Sequence, residues 1–431
     1  MKIAVIGAGS AGITTLYVIQ KRKLAKYGDL VCFETDHDIG GTWMFNEESG
    51  RKVAEIVPVN GSAYIGLKMN SPKIIDTLHP DFPIPEEFDE FPTREQNLQY
   101  IRSFADKYDL RRYITFNSFV ELIDWKNEKF EISVRDLVNN DKASTYHFDY
   151  VFMCGGQHRI PNIPIDDYKC FHGEILHYHD LRYPNRFHGK RIVVVGGSYG
   201  ALDMVTILSK HVDKFYLSIN KERTPFWFSE ENLKFITEVK PRIDKATGNT
   251  VYFKDSSSVE ADAIIYATGF RQFHPLSKQL ELDFNYSVCL FPLFKHVVHP
   301  KFPNMFFIAK AYDFIIPAMR PHAELGCSII DGSYQLPSQH AMIKDIKEFH
   351  KKWEPQVSIF RDYTISCPWL DFEQKLLDEI CILAKCEPIH PKLVNLFYGL
   401  FRIMKQNCHD FRNLKVKHNW QQLELDDGMY E

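Results

Sequence analysis

The chain has 431 residues, of which 45% are apolar, 25% charged and 14% aromatic, a composition that supplies a large core and excludes disordered and fibrous classes. Its 52 basic against 56 acidic side chains leave a formal charge of −4, without the basic excess of a general nucleic-acid binder. No run approaches the roughly 18 apolar residues of a membrane span, and nine cysteines without a CxxC pair fit a reduced compartment better than a disulfide scaffold.

Residues 2–6, KIAVI, read as a short strand that starts too early to leave room for a cleaved leader, so the expected location is cytoplasmic. The strand enters Gly7-Ala8-Gly9-Ser10-Ala11-Gly12, then a helix reaching about Lys26, then a second strand from Leu30 to Phe33 that ends at Glu34. Strand, glycine turn, helix, strand and acid, in that order, predict a dinucleotide site. Gly7 allows the tight turn, Gly9 lets backbone approach a pyrophosphate, and Gly12 permits close helix packing. The helix N-terminus offers unpaired N–H groups to the phosphates. Glu34 lies 22 residues past Gly12 and can accept hydrogen bonds from both hydroxyls of an adenosine ribose. Its charge disfavours a 2′-phosphate, which predicts FAD or NAD here rather than NADP.

Tyr150 to Cys154, followed by Gly155-Gly156, reads as a late strand entering a small-residue turn, and Pro161 and Pro164 stiffen the passage beyond it. A second strand-turn-helix follows: Arg191 to Val195, then Gly196-Gly197-Ser198-Tyr199-Gly200-Ala201. Gly196, Ser198 and Ala201 form a loosened version of the first turn, with a serine hydroxyl available to phosphate. The next strand, Lys214 to Ile219, ends in Asn220-Lys221-Glu222-Arg223-Thr224 rather than in an acid. Lys221 and Arg223 are what a 2′-phosphate calls for, so this unit reads as NADP(H)-binding; a solvated charged turn is the alternative for either residue. Ala263 to Tyr266 enters Ala267-Thr268-Gly269-Phe270, a turn that passes close to a nucleotide or crosses between domains, and Pro292 to Pro303 stiffens the return.

The expected fold class is α/β, with two Rossmann-like dinucleotide-binding domains and the NADP domain inserted in the larger FAD domain. The expected division is 1–164 for the first part of the FAD domain, 165–285 for the NADP(H) domain, and 286–431 for the second FAD part with a C-terminal helical subdomain. A held flavin beside a diffusible hydride donor is a redox pairing.

Phe171, Gly173 and His177 match the fingerprint FxGxxxHxxx(F/Y), whose last position is Leu181. Around it stand VIGAGSAG at 5–12, VCFETDHDIGGTW at 31–43, VVGGSYGALD at 194–203 and ATGF at 267–270. In order and spacing these resemble the flavin-containing monooxygenases over nearly the whole chain. Leu181 stands where that family usually has an aromatic. The related Baeyer–Villiger enzymes carry Trp there, so the resemblance favours the N- and S-oxygenating branch.

The resemblance implies that Gly7, Gly9, Gly12 and Glu34 hold FAD, helped by the Gly40-Gly41-Thr42-Trp43 turn. Gly196, Ser198, Tyr199 and Ala201 would hold the pyrophosphate region of NADPH, with Lys221 or Arg223 on its 2′-phosphate. Thr268 and Gly269 are expected beside a nucleotide. His177 would support NADP binding between the units; its residue type alone leaves open a bridge, a pyrophosphate contact or a packed histidine. The segment from Tyr64 through Asn70 to Pro72 and Lys73 resembles the family's active-site stretch, with Tyr64 and Asn70 facing the cofactors. Asn70 is the expected catalytic residue, its donor and acceptor suiting NADP+ and a flavin-bound peroxide; alone, it also reads as a turn cap before Pro72.

The implied reaction is hydride transfer from NADPH to FAD, formation of a C(4a)-hydroperoxyflavin with dioxygen, and transfer of one oxygen atom to a tertiary amine, alkaloid or thioether. It needs no metal, and His296, His299 and His322 form no recognisable metal motif. Two alternatives stand beside it. One is an oxidase-like relative that releases hydrogen peroxide; the other is an NADPH reductase of the two-dinucleotide type, which the missing CxxC disfavours. Gly326 and Ser328 occupy places where related chains often show Gln and Arg, and Ala311 falls near a common Gln; these departures bear on substrate and peroxide lifetime. A homo-oligomer is compatible with the family.

Overall fold

The computed structural model describes residues 1–48, 52–53, 57–58, 61–139, 142–164, 170–220, 227–271, 273–282, 291–310, 314–359, 368–416 and 425–426. Strand β1 (Ile3–Ile6) is buried at every residue, as an apolar run must be when both faces of a parallel sheet are covered. Helix α1 (Ser10–Lys21) and strand β2 (Leu30–Phe33) follow. The helix ends before Lys26 because Lys23 turns left-handed at φ 55°. Lys23 N–H then bonds the Gln20 carbonyl and Leu24 N–H that of Ile19, a helix stop that folds Leu24 back onto the core.

Helix α2 (Arg94–Lys107) starts on a capping box in which Thr93 and Gln96 each bond the other's backbone N–H. Strand β3 (Ile114–Thr115) precedes an antiparallel meander, β4 (Ser118–Lys126), β5 (Lys129–Asp136) and β6 (Ala143–Phe148), and then β7 (Tyr150–Met153). The second unit contains β8 (Glu174–His177), β9 (Arg191–Val195), α3 (Tyr199–Leu208), β10 (Lys214–Ser218), β11 (Glu238–Lys240) and β12 (Ala263–Tyr266). The chain then supplies β13 (Met305–Phe307) and the helices α4 (Ile315–Ile330), α5 (Gln339–Ile359), α6 (Pro368–Ala384) and α7 (Pro391–Gln406).

The first sheet runs β13-β7-β1-β2-β3 and the second β8-β12-β9-β10-β11, each parallel throughout. The architecture is therefore α/β with two Rossmann-like units, the second inserted between strands of the first. In each sheet the strand carrying the glycine turn, β1 or β9, lies where strand order reverses, the crevice in which open α/β sheets bind ligands. The two passages between units meet as a ribbon: Ile160–Pro161 pairs antiparallel with Phe270–Arg271. Leu276 bridges Ile123 of the meander and Leu280 joins the core beneath it.

α1 lies against α4, and α4 against the first sheet. Gly326 makes that approach possible, since a Cβ there would stand 2.6 Å from the Phe152 ring. α7 and the residues after it complete the core of the second unit, where Leu400, Ile403, Met404, Cys408, Phe411 and Leu414 pack with the sheet. The buried amide of Asn232 fastens this joint, donating to the Trp227 and Met404 carbonyls and accepting the Cys408 N–H. Among the described residues no helix is long and apolar enough to cross a membrane.

Candidate active site

At the carboxyl end of β1, Gly7 takes φ +99° and donates to the Phe33 carbonyl at 2.8 Å. A side chain there would crowd the Cys154 carbonyl at 2.9 Å, and a Cβ on Gly12 would overlap the Gly7 carbonyl oxygen. The start of α1 is thus seated on bare backbone. Gly9 caps the helix and no described side chain takes its first N–H groups, which leaves them and the positive dipole end for an anion. Gly9 faces Gly41, whose Cα lies 3.5 Å from where a Gly9 Cβ would sit, and Gly61 approaches the Gly41 carbonyl from beyond. These three glycines, from segments far apart in sequence, keep a strip of backbone free of side chains, a cradle that fits the pyrophosphate of a dinucleotide.

Gly40 turns the chain at φ +149° into the short helix Gly41–Trp43. Thr42 is exposed, whereas Trp43 packs against the apolar core. Glu34, buried at the end of β2, accepts N–H groups from Ala8 of the glycine turn and from Asp36 (2.9 Å). Burial raises its carboxyl above the usual range, against the pull of those two N–H groups and of Arg159.

The second turn repeats the construction. A Cβ on Gly196 would overlap the Ala267 carbonyl; Ser198 caps α3 and no described side chain takes its N–H groups; Ala201 is fully buried. Tyr199 stands half-buried on the first turn of α3. Gly200 gives room to Tyr178, whose ring would lie 2.9 Å from an added Cβ. Trp227 closes the turn from below, donating to the Gly197 carbonyl at 3.1 Å. Lys221 and Arg223 lie outside the described residues, as does Ala311. Thr268 and Gly269 hold the ribbon: Thr268 donates to the Asn162 carbonyl, and Gly269 accepts the Asn162 N–H at 3.0 Å.

Between the two turns the structure brings together residues from four segments. His177, at the end of β8, is fully buried and accepts the His179 N–H on Nδ1 at 3.1 Å. Its proton therefore sits on Nε2, a buried donor that faces the Gly269 backbone. Burial, with His179 nearby, pushes its pKa down to about 4, so it is neutral at physiological pH.

Tyr64 donates to Asp203 of α3 at 2.9 Å, the other Asp203 oxygen accepts from Arg412, and the same Arg412 nitrogen donates to the Asn70 side-chain oxygen. The acceptor of Asn70 is thus committed to Arg412, and its N–H2 is the group available to a ligand. Next in chain, Ser71 donates to the buried carboxyl of Asp76 at 2.7 Å.

Leu181 is fully buried in the core of the second unit, and Ser328 is buried in α4, bonded to the Leu325 carbonyl. With Gly326 against Phe152, these departures from the family pattern are packing positions. Gly61, Gly200, Asp203 and Arg412 escaped the sequence reading. Asp203 and Gly200 lay inside a quoted motif, whereas nothing local marks Arg412.

Two parallel sheets, each with a glycine turn leading to an open helix N-terminus, define the class, a two-dinucleotide α/β oxidoreductase. Comparison with known proteins specifies it further. The chain matches the family described as Flavin-binding monooxygenase-like over residues 1–230 and 228–401. It is 30% identical over 424 residues to trimethylamine monooxygenase of Pelagibacter ubique (strain HTCC1002), covering 96% of this chain and 92% of that one. It is 28% identical to senecionine N-oxygenase of Tyria jacobaeae, over 80% of this chain and 74% of the relative. The crystal structure of Tmm from Pelagibacter sp. strain HTCC7211 superposes with a TM-score of 0.84 at 27% identity, covering 99% and 96% of the two chains. S-allyl-L-cysteine S-oxygenase from Allium sativum shares the fold at 20% identity, with a TM-score of 0.80 over 96% and 94%.

The chain belongs to the flavin-binding monooxygenase-like family. It is a flavoprotein monooxygenase, of a family whose cofactors are FAD and NADPH.

Proposed function

We propose that the enzyme transfers one oxygen atom from dioxygen to a soft nitrogen or sulfur nucleophile, a tertiary amine, alkaloid or thioether, giving the N-oxide or S-oxide. The observation that carries the reading is the Tyr64–Asp203 hydrogen bond with its extension to Asn70. It ties the loop of the first unit to the helix of the second turn, so that two nucleotides held by the two turns would meet at Asn70. The trimethylamine and senecionine N-oxygenating relatives support the substrate class.

The chemistry that FAD supplies when bound is hydride uptake from NADPH and activation of dioxygen. The protein's part is to hold and exclude. Gly9, Gly41 and the N-terminus of α1 bind the FAD pyrophosphate, and Glu34 accepts its ribose hydroxyls, with Gly7, Gly12, Gly40, Thr42 and Trp43 shaping the turn. Gly196, Ser198, Tyr199 and Ala201 bind NADPH, Lys221 or Arg223 its 2′-phosphate, and the Nε2–H of neutral His177 a phosphate oxygen. Thr268 and Gly269 form the wall beside it. Asn70 donates its N–H2 to the bound cofactors, while buried Tyr64 and Phe91 keep water from the reacting face. No protein nucleophile is needed. A cytoplasmic location, a homo-oligomer and a chain divided near 164 and 285 complete the proposal.

The test is anaerobic reduction of the FAD-loaded protein by NADPH, then rapid mixing with oxygen. A long-lived spectral species between reduced and oxidised flavin, discharged by trimethylamine or a thioether, is expected. Immediate return to oxidised flavin with stoichiometric hydrogen peroxide would replace the monooxygenase reading with that of an oxidase.

A further inference from the structure

Arg412 lies beyond α7, on a segment anchored to the second unit through the Asn232–Cys408 bond of 2.8 Å. Its guanidinium reaches three groups at once. Nε donates to the Met69 carbonyl at 3.1 Å, and Nη2 donates to both Asn70 and Asp203. The side chains of Arg412 and Asp203 are 12% and 9% exposed, so the pair works largely out of bulk water, where a charge without its partner is unfavourable. Both oxygens of Asp203 are engaged, one by Arg412 and one by Tyr64. The loop from Tyr64 to Asn70 is therefore gripped at both ends, by a carboxylate on α3 and by a guanidinium from the C-terminal segment.

A side-chain amide without such a grip rotates, and donor and acceptor exchange places. We propose that Arg412 is a positioning residue that fixes the Asn70 amide, oxygen inward and N–H2 free for ligand. Asp203 makes that orientation conditional on the docking of α3, the helix of the second nucleotide turn. The planar fork of arginine serves Met69, Asn70 and Asp203 together; a lysine can neutralise Asp203 but lacks the fixed geometry for the other two. The inference rests on the reading of Asn70 as a cofactor contact.

The test uses the FAD-loaded protein with Asn70→Ala, Arg412→Met, their combination, and Arg412→Lys. Flavin content and melting temperature monitor the fold. Two properties are measured: NADP+ affinity of the oxidised enzyme by titration calorimetry, and hydrogen peroxide released per NADPH consumed with trimethylamine present. Asn70→Ala and Arg412→Met should each weaken NADP+ binding about tenfold and raise peroxide release, and the combination should be no worse than either alone. Arg412→Lys should fall between wild type and Arg412→Met. Multiplying effects in the combination, or an Arg412→Met enzyme with wild-type affinity and coupling, overturns the inference. If Arg412→Met loses its flavin, Arg412→Lys combined with Asn70→Ala carries the same test of additivity. An Asn70→Ala enzyme with unchanged affinity and coupling refutes the role of Asn70 itself, which separates that failure from failure of the positioning role.

Discussion

Asp76 offers a test of stability that is independent of the reaction. Its side chain is 4% exposed and accepts a hydrogen bond from Ser71 at 2.7 Å. Burial outweighs that bond and pushes its pKa from 3.8 up to about 8. The unfolded chain releases this proton near pH 4, while the folded chain keeps it until about pH 8. Above the unfolded value the folded state thus binds the extra proton, and stability falls as pH rises, levelling off beyond pH 8. At 1.36 kcal/mol per pH unit for one proton, the loss between pH 5 and pH 7 is about 3 kcal/mol.

Asp76→Asn keeps an acceptor for Ser71 and removes the titration. Urea unfolding of the flavin-loaded wild type and variant at pH 5, 6 and 7 reads the difference directly. Buried histidines such as His177 push the other way, because their depressed pKa values make stability rise with pH; they are common to both proteins and cancel in the comparison. The stability of wild type relative to Asp76→Asn should fall by about 3 kcal/mol over that range. Parallel curves for the two proteins would refute the burial argument.

The two glycine substitutions of the first turn should separate folding from binding. Gly12→Ala places a methyl group on the Gly7 carbonyl and should abolish folded, flavin-loaded protein, read as soluble yield and the 450-to-280 nm absorbance ratio. Gly9→Ala has 3.5 Å to Gly41, so it should melt cooperatively yet lose FAD; full flavin occupancy would show that the pyrophosphate does not pass here. In the second unit, replacing Lys221 and Arg223 together with Ala should raise KM for NADPH at least about tenfold while leaving that for NADH nearly unchanged. Equal changes for the two nucleotides would place the 2′-phosphate elsewhere.

The glycine turns were legible because their spacing is local, although not all of the crowding that demands glycine is. Gly12 meets the Gly7 carbonyl within the same turn, whereas Gly7 and Gly196 are crowded by Cys154 and Ala267 from distant strands; the spacing and the flanking apolar runs announce the turns all the same. The helices behind the turns were legible as apolar runs that follow them, at Ser10 and at Tyr199. What joins the units was not. Tyr64 to Asp203 spans 139 residues, Arg412 to Asp203 spans 209, and Arg412 to Asn70 spans 342. Pairing over such distances leaves no periodicity or spacing to read. Gly61 belongs to the same class: its role exists only once Gly41 is folded against Gly9. The positions of Gly326 and Ser328, noticed as departures from a family pattern, acquired a physical account only when α4 was seen packed on Phe152.

The Asn232 joint has a consequence for synthesis. All five strands of the second sheet have been made once Tyr266 is linked, yet its core still lacks the apolar side chains from Leu400 to Leu414, and Asn232 lacks partners 172 and 176 residues ahead. The first sheet waits for β13 in the same way. At the usual pace of about 5–20 residues per second, the ribosome keeps the second unit's unfinished face exposed for roughly ten to thirty seconds after its last strand is made. Nesting one unit inside the other therefore leaves the nascent chain's unfinished face to chaperones until the segment through Leu414 emerges, and places the late helices among the steps that decide yield.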